Sequence, residues 1–194
     1  MTDEIDFSAR DPVHADELFY ERWSPRSFKQ CVLEGNKLKK ILDAARWAPS
    51  CSNEQPWKIY TAGRQASSFK FFVECLTEGN RVWAKDASIL GFFIARLNFS
   101  KKPKANTLCE FDCGASWMSL SLQARIEGLY THGMGGIYRD KVADFLNLDT
   151  SLEKVVMGFA LGYLEDRENL RNDLRDREKP SSRKDLKDIW EILD

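Results

Sequence analysis

Histidine is nearly absent from this chain: His14 and His132 are the only two in 194 residues. Structural zinc needs four soft ligands at short paired spacings. Cys109 and Cys113, four apart, have no second Cys/His pair to meet, so no metal site is expected. A serine or cysteine nucleophile needs a base within hydrogen-bond reach. With so few imidazoles and no Gly-x-Ser-x-Gly string, hydrolase chemistry lacks its parts. Gly-x-Gly-x-x-Gly is missing too, so any nicotinamide dinucleotide is held by something other than a Rossmann fingerprint. The longest apolar stretch, Ile89 to Ala95 around Gly91, is far shorter than the roughly 20 residues that cross a bilayer, and no membrane span is expected.

Charge of one sign is missing as well. Twenty-nine basic residues stand against 30 acidic ones, so no general field attracts nucleic acid or an anionic membrane, and any polyanion site must be local. Five cysteines, an odd number at irregular spacing, imply reduced thiols rather than a disulfide framework. The opening MTDEIDF carries Asp3, Glu4 and Asp6 where a secretory leader would be basic and then apolar, and the expected location is cytoplasmic. The length fits one domain, residues 1–194.

What is present has clear periodicity. Leu38, Ile41, Leu42 and Ala45 recur at helical spacing between Lys37, Lys39, Lys40 and Asp43, with Asn36 as the expected cap and Pro49 as the stop. Trp57–Ala62, Ser88–Asn98 and Val155–Leu164 are predicted strands. The last two are nearly all apolar, which requires helices on both faces of their sheet. Glu110–Glu127 is a predicted helix whose stretch Cys113–Ala124 has no charge and many small residues. Such a helix is expected to be buried, in part against a second copy of the chain. Gly128, Gly133, Gly135 and Gly136 crowd one loop, either as ordinary turn punctuation or as a place of close backbone approach. Residues 165–194 hold eight basic and ten acidic side chains. They form a charged extension in which Leu186, Ile189, Trp190 and Leu193 make an apolar stripe expected to anchor the chain end.

Two strings carry polar groups suited to binding. In RWSPRSF, Arg22, Ser24 and Arg26 alternate, so an extended backbone would turn two guanidinium forks and a hydroxyl to one side, suited to a phosphate or an electron-rich ring edge. In APSCSNEQPW, Ser50, Cys51, Ser52 and Asn53 occupy a loop between helix and strand. Taken singly, each string also fits a surface arginine pair or a plain connector.

Together and in order, these strings resemble the nitroreductase family of flavoenzymes across nearly the whole chain. RWSPRSF is similar to its Arg-x-Ser-x-Arg element and AARWAPSCSNEQPW to its Ala-Pro-Ser-x-x-Asn-x-Gln-Pro-Trp element. GNRVWAKDASILGFF, THGMGGI and VVMGFALGYLED are similar to its central-strand region, glycine loop and late strand. The resemblance implies an α+β fold: a mixed sheet covered by helices on both faces, in an intertwined homodimer on which residues 165–194 pack. It also implies FMN as cofactor, with NADH or NADPH as co-substrate reducing a small acceptor of nitroaromatic or quinone type by a ping-pong cycle. By carry-over Arg22 and Ser24 hold the phosphate and ribityl chain, Arg26 meets the pyrimidine edge, and Trp23 belongs to the same element where the family often has a basic residue. Pro49, Ser50, Cys51 and Asn53 line the flavin from the other subunit, Cys51 standing where Gly or Ser is usual. Asn80 contacts the ring, Gly135 and Gly136 offer backbone donors, and a basic residue before Pro180, Arg177 or Lys179 among them, reaches the phosphate. No catalytic residue beyond the flavin is implied. Alternatives are a flavin-binding storage or sensing protein, and a superfamily member with dehalogenase-like or flavin-modifying chemistry.

Overall fold

The structure, a computed structural model, describes residues 5–10 and 14–193. At its centre lie the two most apolar segments as neighbouring strands, β2 (Ile89–Arg96) and β4 (Glu153–Gly162). They are flanked by β1 (Trp57–Gly63) and β3 (Tyr130–Met134) in the order β1-β2-β4-β3. β3 lies inside what the sequence presents as a glycine loop. It pairs Thr131 with Leu161 and Gly133 with Phe159 along the edge of β4.

Every pairing is antiparallel, where a mixed sheet was expected. The chain returns beside β1 after α3 (Ser68–Glu74) and α4 (Glu78–Ala84), and beside β3 after α6 (Arg139–Leu146), so each return reverses direction. β2 and β3, joined through the long helix α5 (Cys109–Ile126), run the same way, but β4 lies between them.

Because side chains alternate along a strand, β2 feeds both faces. Leu90, Phe92 and Ile94 pack with Phe72, Trp83 and Val142 from α3, α4 and α6. Ile89 and Phe93 pack with Ile41 of α2 (Gly35–Arg46) and Leu120 of α5. Each large apolar side chain so buried contributes about 1.5–3 kcal/mol. Gly91 permits the closest of these contacts: a Cβ there would stand 2.3 Å from the Phe159 ring and 2.8 Å from the Tyr60 carbonyl oxygen.

α2 starts two residues earlier than its pattern suggests. Glu34 precedes it without a side-chain cap, leaving Asn36 inside the first turn. α5 is two-sided rather than wholly enclosed. Cys113, Ser116, Leu120 and Ala124 are buried, and the Ser116 hydroxyl donates to the Ala45 carbonyl at 2.9 Å, yet Phe111 is 76% and Ile126 63% exposed. After β4 the chain passes through α7 (Asn172–Arg175), with Leu170 and Leu174 in the core. Leu186, Ile189, Trp190 and Leu193, the expected anchor, instead stand exposed on the single chain. A three-residue turn at Leu186–Asp188 is too short to gather them on one face.

Candidate functional site

After the short helix α1 (Glu17–Glu21) the chain runs extended alongside the end of β4. Phe28 bridges Leu164, the Lys29 amide donates to the Tyr163 carbonyl at 3.0 Å, and the Glu165 amide donates to that of Ser27 at 3.1 Å. Burial alternates along this stretch. Trp23, Pro25 and Ser27 point into the protein and Arg22, Ser24 and Arg26, each half-buried, share the other side.

That side is one wall of a cavity of about 240 Å³. Six cations line it: Arg10, Arg22, Arg26, Arg177, Lys179 and Arg183. Ser24, Ser181, Trp23 and His132 complete the lining, and among the described residues no carboxylate does. None of the six forms an ion pair among the described residues. Burial, followed by repulsion from Arg183 and Arg22, pushes Arg10 down to about 10. Burial lowers Arg22 as well, with Arg183 adding to it, and lowers Arg26, with Arg177 adding to it. Positive charge taken out of water without a counter-ion is costly, so this cavity is built for an anion.

The cavity's parts arrive from distant segments. Arg10 donates to the carbonyls of Tyr20 and Arg22, and through Nε to that of Ser181 at 2.9 Å, tying both chain ends to the Arg22 strand. Glu178 turns away from the cations. Its buried carboxylate accepts from the Arg26 amide (2.7 and 3.0 Å) and the Ser27 amide (2.8 Å). His132, on β3, has Nδ1 2.8 Å from the Pro25 carbonyl, and since a carbonyl only accepts, Nδ1 carries the proton. Its ring lies 4.5 Å from that of Trp83. Burial brings the imidazole down to about 4, with Arg26 and Arg177 pushing the same way, so it is neutral near pH 7.

A second group of polar residues lies apart from the cavity. Pro49 to Gln55 form a tight loop in which Ser52, Asn53 and Gln55 all take positive φ, near 55°. It is held by the Gln55 amide donating to the Ser50 hydroxyl at 2.9 Å and the Cys51 amide donating to the buried Asp112 carboxylate at 3.2 Å on α5. A third group joins α4 to the glycine loop. The Gly136 carbonyl accepts from Asn80 Nδ2, Thr77 Oγ1 and the Thr77 amide, each at 3.0 Å, and a Cβ on Gly136 would fall 2.7 Å from both side chains.

Of the residues singled out from the sequence, Arg22, Trp23, Ser24, Arg26, Arg177 and Lys179 therefore meet at one cavity. Asn80 and Gly136 meet each other, Gly135 is exposed close by in sequence, and Pro49, Ser50, Cys51 and Asn53 do not line the cavity of their own chain. Sequence reasoning did not single out Arg10, His132, Ser181, Arg183 and Glu178. Arg183 had a usable signal as a basic residue just past Pro180, while Glu178 lay hidden in a mixed-charge run.

The family model described as Nitroreductase family matches residues 20–78 and 70–163. One solved structure, an oxidoreductase containing FMN, is 42% identical and superposes with a TM-score of 0.89, covering 93% of each chain. A protein of Archaeoglobus fulgidus provisionally named NADH dehydrogenase/NAD(P)H nitroreductase is 28% identical over 153 residues, 77% of this chain and 85% of that protein. A provisionally named nitroreductase from Desulfovibrio desulfuricans, solved in complex with FMN, shares the fold at 18% identity, with a TM-score of 0.72 over 92% of this chain and 95% of its own.

Proposed function

Since the chain belongs to the nitroreductase family, we propose that it is an FMN-dependent oxidoreductase that uses NADH or NADPH to reduce a small oxidised acceptor of nitroaromatic or quinone type. The observation that carries this reading is the cavity beside Arg22, Ser24 and Arg26, whose lining among the described residues holds six cations and no carboxylate and suits a phosphate ester better than any neutral ligand. When bound, the flavin supplies hydride transfer, from the dinucleotide and then to the acceptor, in a ping-pong cycle; the protein supplies binding, orientation and electrostatics.

In this reading Arg22 and Ser24 hold the phosphate and ribityl chain, with Arg177 and Lys179 facing them across the cavity. Arg26, next along the strand, sits toward the pyrimidine edge, where a fixed cation stabilises negative charge as it develops. Trp23 closes the wall behind them, edge-on to Tyr130. Asn80, Gly135 and Gly136 border the ring. The strained loop Pro49–Asn53 serves the site of a second copy, which makes the homodimer part of the proposal. Exposed Leu108, Phe111 and Ile126 on or beside α5 are the apolar surface that such a partner would cover.

The test is an anaerobic absorbance titration of FMN-reconstituted protein with NADH and with NADPH. Rapid bleaching, reversed by a quinone or nitroaromatic, is the expected result. Bound flavin that neither donor reduces points to storage or sensing, and no bound flavin removes the cofactor reading.

A further inference from the structure

We propose that Glu178 is a positioning residue for phosphate recognition: its carboxylate locks the C-terminal segment onto the Arg22–Phe28 strand and so holds Arg177 and Lys179 at the cavity. The inference rests on the reading that the cavity receives the flavin phosphate.

Glu178 lies between two cations that reach the cavity, yet it behaves unlike either. Arg177 and Lys179 are exposed and line the cavity, whereas Glu178 is 7% exposed and does not. An acid placed among six cations would ordinarily pair with one of them. Here the carboxylate's contacts go to two backbone amides instead, those of Arg26 and Ser27, and both bind Oε1. Burial raises the carboxyl above its usual range while those amides and then Arg26 pull it down, so the group is held where a carboxylate is disfavoured unless the amides stay in place.

The geometry gives the placement a purpose. The ends of the segment are fixed independently, by Leu174 in the core and by Ser181, whose carbonyl accepts from Arg10. Between them run Arg175 to Pro180, of which Arg177 and Lys179 line the cavity while Glu178 and Pro180 are buried. Arg177 and Glu178 lie in a turn whose amides donate to the carbonyls of Leu174 and Arg175, and seating Glu178 inward on the amides of Arg26 and Ser27 leaves Arg177 and Lys179, on either side of it, exposed at the cavity with Arg22, Ser24 and Arg26. Arg177 comes close enough to repel both Arg26 and His132. The same carboxylate is hydrogen-bonded to two backbone amides and forms no ion pair with a cavity cation among the described residues, although Arg26 feels its charge, so most of the cavity's positive charge is left for the ligand.

The measurement is the affinity gap between FMN and riboflavin, which differ by the phosphate alone, read by flavin fluorescence quenching on the full-length protein. Glu178→Ala is expected to narrow the gap about tenfold through weaker FMN binding, with riboflavin unchanged. Glu178→Gln keeps an oxygen for both amides and is expected to stay within about threefold of the wild-type gap. In an Arg177→Ala/Lys179→Ala background, Glu178→Ala should change the gap no further. Should Glu178→Ala fail to fold, Glu178→Asp, which withdraws the carboxylate by one methylene, is expected to narrow the gap in the same direction. A wild-type protein with no gap overturns the phosphate reading and this inference with it. A wild-type gap that survives in Glu178→Ala and Glu178→Asp overturns this inference alone. Equal losses for FMN and riboflavin would also overturn it, as would a Gln variant as weak as Ala.

Discussion

Acid should destabilise this protein through His132, by an amount the structure specifies. The half-buried imidazole lies between the Pro25 carbonyl and the Trp83 ring, with Arg26 and Arg177 as its charged neighbours, and its value is about 4 against 6.5 for a free side chain. A folded-state value below the unfolded one means that the unfolded chain takes up the proton first. The contribution is therefore fully present above pH 6.5 and is lost as pH falls from there toward 4. Linkage between those two values gives a loss of about 2 kcal/mol at pH 5, approaching 3 kcal/mol near pH 4. The assay is denaturant unfolding of the flavin-free protein at fixed concentration from pH 7 to 4.5, for wild type and His132→Gln. Glutamine keeps a donor for the Pro25 carbonyl and does not titrate. The variant should lose less stability on acidification, by about 2 kcal/mol at pH 5, while other acid-sensitive groups such as Glu178 act equally in both proteins. Parallel losses would refute the account of His132 as a half-buried imidazole held neutral.

An anion bound among these arginines should reduce the repulsion that helps to hold His132 neutral. Saturating inorganic phosphate is thus expected to raise the His132 value and narrow the gap between wild type and variant. Chloride at matched ionic strength should do so less.

Three further substitutions separate the roles proposed for the remaining residues. Arg22→Ala should weaken FMN binding by about 10- to 100-fold and riboflavin binding, which keeps the ribityl chain, by much less, read by the same fluorescence titration. Arg26→Ala should retain FMN but slow its reduction by the nicotinamide donor in stopped flow, and a full rate would defeat the electrostatic role given to this residue. Phe111→Asp, on the exposed side of α5, should shift the protein to monomers in sedimentation and reduce its flavin content. A monomeric protein with full flavin would remove the second copy from the site.

The elements with strong periodicity were legible before any coordinates. α2 and the strands β1, β2 and β4 fall within a residue or two of their expected spans, because burial on one helix face or on both strand faces leaves a composition that turns and caps cannot imitate. β3 was missed because YTHGM carries a glycine and a histidine. It lies at a sheet edge, where pairing to one neighbour suffices, and Gly133 stands where a Cβ would meet Met157 at 2.7 Å. The antiparallel order is a property of how α5 crosses the sheet and leaves no mark in any local window. Arg22, Ser24 and Arg26 could be grouped because they are neighbours at alternating positions. Arg10, 12 residues upstream of Arg22, could not, since its place depends on hydrogen bonds to Tyr20, Arg22 and Ser181 that form only in the folded chain. The apolar residues near the C-terminus were legible as a stripe but not as exposed, because the sequence does not say which surface they face.

The electrostatics of the cavity bear on why this chain is better suited to holding a phosphate than to standing alone. Arginines clustered with no acid among them in the described lining destabilise the free protein, and a single aspartate in place of Ser24 or Ser181 would relieve much of that repulsion. Such an acid would also repel the phosphate it sits beside. The chain does carry an acid in that neighbourhood, Glu178, but directs it at backbone amides. Stability withheld from the free protein in this way returns when the anion binds, because a ligand that binds only the folded state stabilises it by mass action. A protein with a merely structural arginine cluster would be expected to place Glu178 against a guanidinium; this one directs it at the amides of Arg26 and Ser27.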